Sequence, residues 1–325
     1  MNDLLIDDSS CLYPREALGW EWLEVNGSGG YASSTVMNCH TRKYHGLLVA
    51  NLAQPAGRYV MLSKFEDSLC LDGDEHFFSC HQYPNFFFPP VRHCLSKFSL
   101  DSAPQFTYQI SGTIIRKTVL LIQGENCVLI KYDLENAPND LVLRLKPFLA
   151  LRNFHGLAKQ SERFAAVTTP LNNGFLITPY PEMPTLFIRT NVNSKFLSAP
   201  HWYNNFEYPA ERERGYGWQE DLFVPGVLEV AVQNGQSVIV AAALQEKPLQ
   251  LQKKWTSELR RRSRAQEQEE IIAAGFPPED REHIRQLLKA GRQFLITSPA
   301  GRPAIIAGYH WFDVWGRDTL ISLPG

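Results

Sequence analysis

A chain of 325 residues has room for about two domains with sizeable cores, and 44% hydrophobic with 20% charged residues is an ordinary globular composition. A formal net charge of −2 without a long basic run argues against nucleic acid or an anionic membrane as partner. There is no apolar run of about 18 residues to span a bilayer and no basic n-region or apolar h-region at the start; the six cysteines lack a CxxC spacing, so thiols in a reducing cytosol are expected.

Residues 1–20, with Pro14, show little periodicity. Glu21 to Thr35 then reads as a short strand, a glycine-rich turn and a second strand. Gly27-Ser28-Gly29-Gly30 has no Walker lysine and opens no convincing helix, so it is expected to be a tight turn rather than a phosphate loop. Ser28 lacks the G-x-S-x-G frame of a nucleophile elbow. Thr41-Arg42-Lys43-Tyr44-His45-Gly46 leads into the apolar run Leu47-Leu48-Val49-Ala50, a buried strand.

From about residue 58 to 245 the chain is a succession of short β-type runs, among them 106–110, 112–122, 127–132, 141–148, 174–178, 185–189 and 237–241. Several alternate apolar with polar residues, and turns such as Asn172-Asn173-Gly174 separate them. The pattern predicts a mainly β fold, an antiparallel β-sandwich over residues 1–245. Two stretches, residues 147–155 and 202–226, are rich in aromatic and charged residues and read as loops, where function tends to sit. Glu207, Glu211, Glu213, Glu220 and Asp221 raise the question of a catalytic carboxylate pair. Glu211-Arg212-Glu213-Arg214 reads instead as ion pairs on a surface or an interdomain face. His76, Cys80, His81, His93 and Cys94 lack the tight ligand spacing of a zinc site, so no metal is expected.

Past residue 245 the composition changes. Residues 250–274 read as a long polar helix, with Arg260-Arg261-Arg262-Ser263-Arg264 and Glu267, Glu269, Glu270 on a solvated face. Gly275 and Pro277-Pro278 stop it, and a second helix is expected over residues 279–294. The domain plan is therefore a sandwich (1–245), a helical linker (246–278) and a final segment (279–325).

That segment ends in an unusual run: Tyr309-His310-Trp311-Phe312-Asp313-Val314-Trp315-Gly316-Arg317-Asp318-Thr319. A sugar ring has apolar C–H faces that stack on aromatic rings and a rim of hydroxyls that needs donors and acceptors. Arginine supplies a fork of donors and an ionised aspartate only acceptors. The competing reading is a pair of core tryptophans and a structural ion pair at a helix start.

Trp315-Gly316-Arg317-Asp318-Thr319 with Leu320-Ile321-Ser322-Leu323-Pro324-Gly325 resembles the signature of the bacterial and archaeal glycogen-debranching enzymes, the amylo-α-1,6-glucosidase family. The hairpin motifs Asn26-Gly27-x-Gly29-Gly30-Tyr31 and Arg42-x-Tyr44-His45-Gly46-Leu47-Leu48 are similar to that family too, as are residues 147–155 and 202–226. The resemblance implies that Arg317 and Asp318 bind the non-reducing glucose, with Trp311 and Trp315 walling the pocket and Tyr309, His310 and Asp313 assisting. Arg42, Tyr44 and His45 are expected to face the sugar site. It also implies the opening helices of an incomplete (α/α)6 barrel, with a general acid and base downstream of Gly325. Branched α-glucan is then the partner, no cofactor is required, and oligomeric state is left open. The alternatives are another α/α-barrel glycosidase, glucoamylase-like or trehalase-like, or a non-catalytic glucan-binding module.

Overall fold

A computed structural model describes residues 4–5, 17–89, 95–139, 141–162, 164, 167–246, 250–298 and 300–322. Pro14, Cys11, His93, Cys94 and the signature's last residues, Leu323-Pro324-Gly325, lie outside the described residues. Period-two burial sets the layers: in Pro104–Ile110 the side chains of Phe106, Tyr108 and Ile110 are buried while those of Gln105, Thr107 and Gln109 are not. One antiparallel sheet runs, edge to edge, through Leu4–Leu5, Leu95–Leu100, Pro104–Ile110, Thr113–Leu121, Cys127–Glu135, Ser237–Ala243, Leu186–Thr190, Gly174–Ile177 and Thr168–Leu171. The other runs through Lys195–Glu207, Gln219–Val232, Leu141–Asn153, Gly57–Leu71, Gly46–Leu52, Tyr31–Thr35 and Glu21–Val25, with Asp74–Phe77 paired to Gly57–Leu71.

The two sheets share one core. Leu48, Leu62, Leu69, Leu143 and Leu145 of the second sheet join Phe106, Val119, Val128, Ile130 and Val240 of the first. The mainly antiparallel β fold expected from the strand runs is therefore present. The outer faces are covered as well. Val49, Val60, Phe148 and Val224 meet Ile296, Ile306 and Tyr309 on the second sheet, which explains why Gly46–Leu52 is buried almost throughout. On the first sheet Leu120, Leu129, Ile239 and Ala241 meet Leu251 and Trp255.

Four helices are described: α1 (Pro209–Glu213), α2 (Leu251–Ala273), α3 (Arg281–Phe294) and α4 (Gly316–Ser322). None is long and apolar enough to cross a membrane. Helix α2 corrects one expectation, since its charges are not simply solvated. Glu258, Arg262 and Glu269 are buried. Arg262 donates to Glu24 and, at 3.0 Å, to Glu258, and caps the carbonyls of Ser102 (2.7 Å) and Leu121 (3.1 Å). Leu251 and Trp255 seat the helix on the sheet, and the charges that follow stay buried because each is paired.

A second correction concerns residues 202–207. They end the long strand Lys195–Glu207, hydrogen-bonded to Gln219–Val232, and are not a loop. Residues 147–153 likewise belong to the bulged strand Leu141–Asn153. Helices α2, α3 and α4 line an open groove of about 910 Å³ in which Ile272, Phe276, Leu287 and Leu295 are exposed.

Candidate functional site

The outer face of the second sheet carries the platform. At its rim the glycine turn is closed by Asn26, whose Oδ1 accepts the backbone N–H groups of Ser28 and Gly30, both at 2.9 Å. Gly27 and Gly29 adopt φ of 66° and 85°, which a side chain would strain. The Ser28 and Gly30 amides are thus satisfied from within the turn.

Beside the turn, Tyr31 Oη donates to the Tyr44 carbonyl at 2.7 Å, and Tyr44 Oη lies 3.2 Å from His155 Nδ1. His45 is buried, and its Nδ1 accepts the Thr41 N–H at 3.2 Å. The ring proton therefore sits on Nε2, 3.4 Å from Glu21 Oε1, to which Arg42 Nε also donates at 2.6 Å. Burial holds the His45 pKa below the usual histidine range. Burial would raise the Glu21 carboxyl, but the donors His45 and Arg42 more than reverse this and hold it at about 2.

Residues 306–314 form a loop closed on itself: Ile306 pairs with Val314, Ala307 N–H donates to the Asp313 carbonyl at 3.0 Å, and Phe312 N–H to the Gly308 carbonyl at 3.1 Å. Its first half docks on the platform. Tyr309 is buried, its ring 5.7 Å from that of Tyr31, and its hydroxyl donates to the Gln293 carbonyl at 2.5 Å. His310 Nε2 lies 3.0 Å from Ser33 Oγ. Because Ser33 already donates its proton to the Trp22 carbonyl at 2.7 Å, His310 must be the donor, a neutral imidazole protonated on Nε2. Burial, with His45 beside it, pushes its pKa down to about 3.

Trp311 lies edge-on to Tyr44 at 6.3 Å, with the guanidinium carbons of Arg42 and Arg214 at 5.2 and 4.7 Å from its ring centroid. These cations occupy the π surface, so Trp311 is a wall held in place rather than a vacant stacking face.

The second half of the run is exposed. Phe312, Val314 and Trp315 are 46%, 43% and 44% exposed, and the Phe312 and Trp315 rings meet edge-on at 5.7 Å. Arg317 stands over Trp315 at 5.5 Å, and its Nε is 3.8 Å from Asp318 Oδ2. That is a loose contact: the Arg317 side chain is 71% exposed. The ring of Trp315, the guanidinium over it and the half-buried carboxylate of Asp318, which also lines the groove between α2, α3 and α4, cluster at the start of α4. Arg42, Tyr44 and His45 instead meet the docked half, through Trp311 and through His310, whose ring is 5.7 Å from that of His45.

Apart from Glu213, which is exposed, the carboxylates of residues 207–221 are buried or engaged elsewhere. Glu220 is fully buried and accepts from Arg152, from Ala158 N–H at 2.8 Å and from Tyr208 Oη at 2.5 Å. Asp221 accepts the N–H groups of Gln160 and Asn205, and Glu207 is 3.5 Å from Arg212. Glu211 faces Arg214 at 3.7 Å, yet is wholly buried rather than on a surface, and burial raises its pKa despite Lys43 nearby. Among the described residues no group of three His, Cys, Asp or Glu is placed to hold a metal; His81 turns to Glu66 at 3.1 Å.

Sequence reasoning missed the residue under the run. Arg58, 1% exposed on Gly57–Leu71, donates to the carbonyls of Tyr309 (2.5 Å) and Phe312 and lies 3.0 Å from Asp313 Oδ1. An arginine directly before the apolar run Tyr59-Val60-Met61-Leu62 was the available signal, since a charge buried with such a run needs a partner. Asp313 is correspondingly an anchor of the loop.

Two known protein families match parts of the chain. Residues 20–239 match the family described as glycogen debranching enzyme N terminal, and residues 289–325 the family described as amylo-alpha-1,6-glucosidase. No curated protein matches. Among solved structures, a bacterial glucoamylase complexed with acarbose is 8% identical over 85% of this chain and 37% of its own, at a TM-score of 0.37. Heparan sulfate lyase HepC from Pedobacter heparinus is 14% identical over 55% of this chain and 24% of its own, at a TM-score of 0.31. The chain thus spans well under half the length of these structures.

Proposed function

The chain belongs to the glycogen debranching enzyme family, and from that premise we propose that it serves the hydrolysis of α-1,6-linked glucose stubs on branched glucan in the cytosol. The observation that carries this reading is the trio of exposed Trp315, exposed Arg317 and half-buried Asp318 at the start of α4, which follows a loop that the β-sandwich holds from below. Arg317 stands over one face of Trp315, and the rest of the ring, on a residue 44% exposed, suits the C–H face of a glucose ring. The Arg317 fork donates to neighbouring hydroxyls and the Asp318 carboxylate accepts from them, which fixes the ring's orientation. Trp311 walls the site, Tyr309 and His310 dock it, and Asp313 ties it to Arg58. Arg42 forms the adjoining rim, with Tyr44 and His45 buried beneath it.

Hydrolysis with inversion needs an acid to protonate the leaving oxygen and a base to activate water, with the two carboxyls about 6.5–9.5 Å apart. Glu207, Glu211, Glu220 and Asp221 are not offered for either role, because each is buried or engaged as described. We place the acid and base outside the sandwich, on an α/α barrel of which residues 279–325 supply the opening elements, with residues 246–278 as linker. The open apolar groove beside α3 supports that assignment. The protons come from carboxylates, so the mechanism requires no cofactor.

The test is affinity electrophoresis in glycogen together with glucose release from a limit dextrin. Retardation that Asp318→Ala abolishes supports the binding assignment, and unchanged retardation in that variant removes Arg317 and Asp318 from the site. Glucose released by the 325-residue chain itself would return residues 207–221 to consideration as the seat of the chemistry.

A further inference from the structure

Arg58 spends a fully desolvated cation on a segment some 250 residues away in sequence. Its two terminal nitrogens hold the carbonyls of Tyr309 and Phe312, and one of them also meets the Asp313 carboxylate at 3.0 Å. Its Cζ lies 4.2 Å from the centroid of the Phe154 ring, and the Phe154 N–H in turn donates to the Arg58 carbonyl at 3.0 Å, so the side chain is fixed from its own side. Nε finds no hydrogen-bond partner among the described residues. The fork is therefore aimed at the loop even though one buried donor is left unsatisfied.

The place it grips is specific. Tyr309 is the last fully buried residue of the run, and Phe312 the first exposed one. Trp315, Arg317 and Asp318 follow within six residues of Phe312. Three acceptors on one short loop meet one rigid planar donor, an arrangement that fixes orientation as well as position. A lysine ammonium of similar charge cannot hold two carbonyls in that fixed geometry.

We infer that Arg58 is a positioning residue. It sets the angle at which residues 312–318 leave the sandwich, and through them the orientation of Trp315, Arg317 and Asp318 toward a sugar. The sugar part of this inference rests on the proposed function, whereas the positioning part does not.

Hydrogen exchange decides the positioning part. In Arg58→Lys, amides of residues 309–318 should exchange about tenfold faster while those of Leu141–Asn153 stay protected. Asp313→Asn, which keeps both carbonyl contacts, should give a smaller rise confined to the same residues. In Arg58→Ala, added methylguanidinium should slow the exchange again, whereas methylammonium should not. Unchanged exchange in residues 309–318, or acceleration spread equally through the sandwich, overturns the inference.

Isomaltose, titrated into the same proteins, reads the sugar part. Affinity should fall about tenfold in Arg58→Lys and be restored with methylguanidinium in Arg58→Ala. If Asp318→Ala leaves isomaltose affinity intact, the binding assignment fails on its own, and the exchange data still judge Arg58.

Discussion

Two halves of one short run behave in opposite ways. Tyr309, His310 and Trp311 are drawn onto the sheet by an aromatic contact, a serine and two guanidinium groups, whereas Phe312, Val314, Trp315 and Arg317 project into solvent. The composition of the halves is similar: each has a tryptophan, another aromatic ring and a polar group. What differs is the partner. The first half faces a sheet whose outer side needs covering, and the second faces nothing among the described residues that would cover it. Aromatic richness alone therefore does not separate a core from a binding surface.

The sharpest way to break the comparison is to remove one ring from each half. Tyr309→Ala deletes a buried ring packed on Tyr31 and Phe294 and orphans the Gln293 carbonyl. It should lower unfolding free energy by about 3–5 kcal/mol. Trp315→Ala should change it by no more than about 0.5 kcal/mol. Urea titrations of both variants check this, and equal losses would mean that Trp315 is also core.

Acid should act on the docked half first. The folded pKa of His310, about 3, lies below the ordinary histidine value of 6.5. Between these values the unfolded chain binds a proton that the folded one does not, so stability is fully present above pH 6.5 and falls as pH drops toward 3. One proton gives a slope of about 1.4 kcal/mol per pH unit within that window. His81, held at about 4 chiefly by burial, adds to the slope from the other end of the same outer face. His310→Asn should flatten the part of the curve due to His310. A curve with unchanged slope would show that His310 stays neutral in neither state, or titrates alike in both.

How much of this was legible in the sequence follows the same physical divide. Period-two burial was readable where one side of a strand is apolar, as in Pro104–Ile110. Lys195–Glu207 lacks that mark, because most of its residues face solvent and its order comes from pairing with Gln219–Val232. Its wealth of aromatic and charged residues then suggested a loop. The charges of α2 read as solvated because their partners, Glu24 and the Leu121 carbonyl, come from a distant part of the chain. The run from Tyr309 to Asp318 stood out by residue type, but nothing in its order divides it after Trp311. That division comes from Arg58, and a single arginine does not announce which carbonyls it will hold.

The smallest effect expected is also the most discriminating. Arg317 and Asp318 are a 3.8 Å pair with one side chain 71% exposed, so mutual attraction is screened and contributes within about 1 kcal/mol at most. Arg317→Gln and Asp318→Asn should each leave the urea midpoint of the chain nearly unchanged. The bland assignment of these residues, a structural ion pair at the start of α4, requires the opposite: loss of either charge should loosen the helix and expose Thr319 and Ser322, whose hydroxyls bond back to the Trp315 and Asp318 carbonyls at 3.1 and 2.8 Å. Exchange of the amides of Gly316–Ser322 in the two variants tells the cases apart. Protection that survives while glycogen retardation is lost leaves binding as the reason for the pair. Protection that collapses in both variants makes the pair a helix support, and the sugar surface would then have to be sought on Trp315 and Phe312 alone.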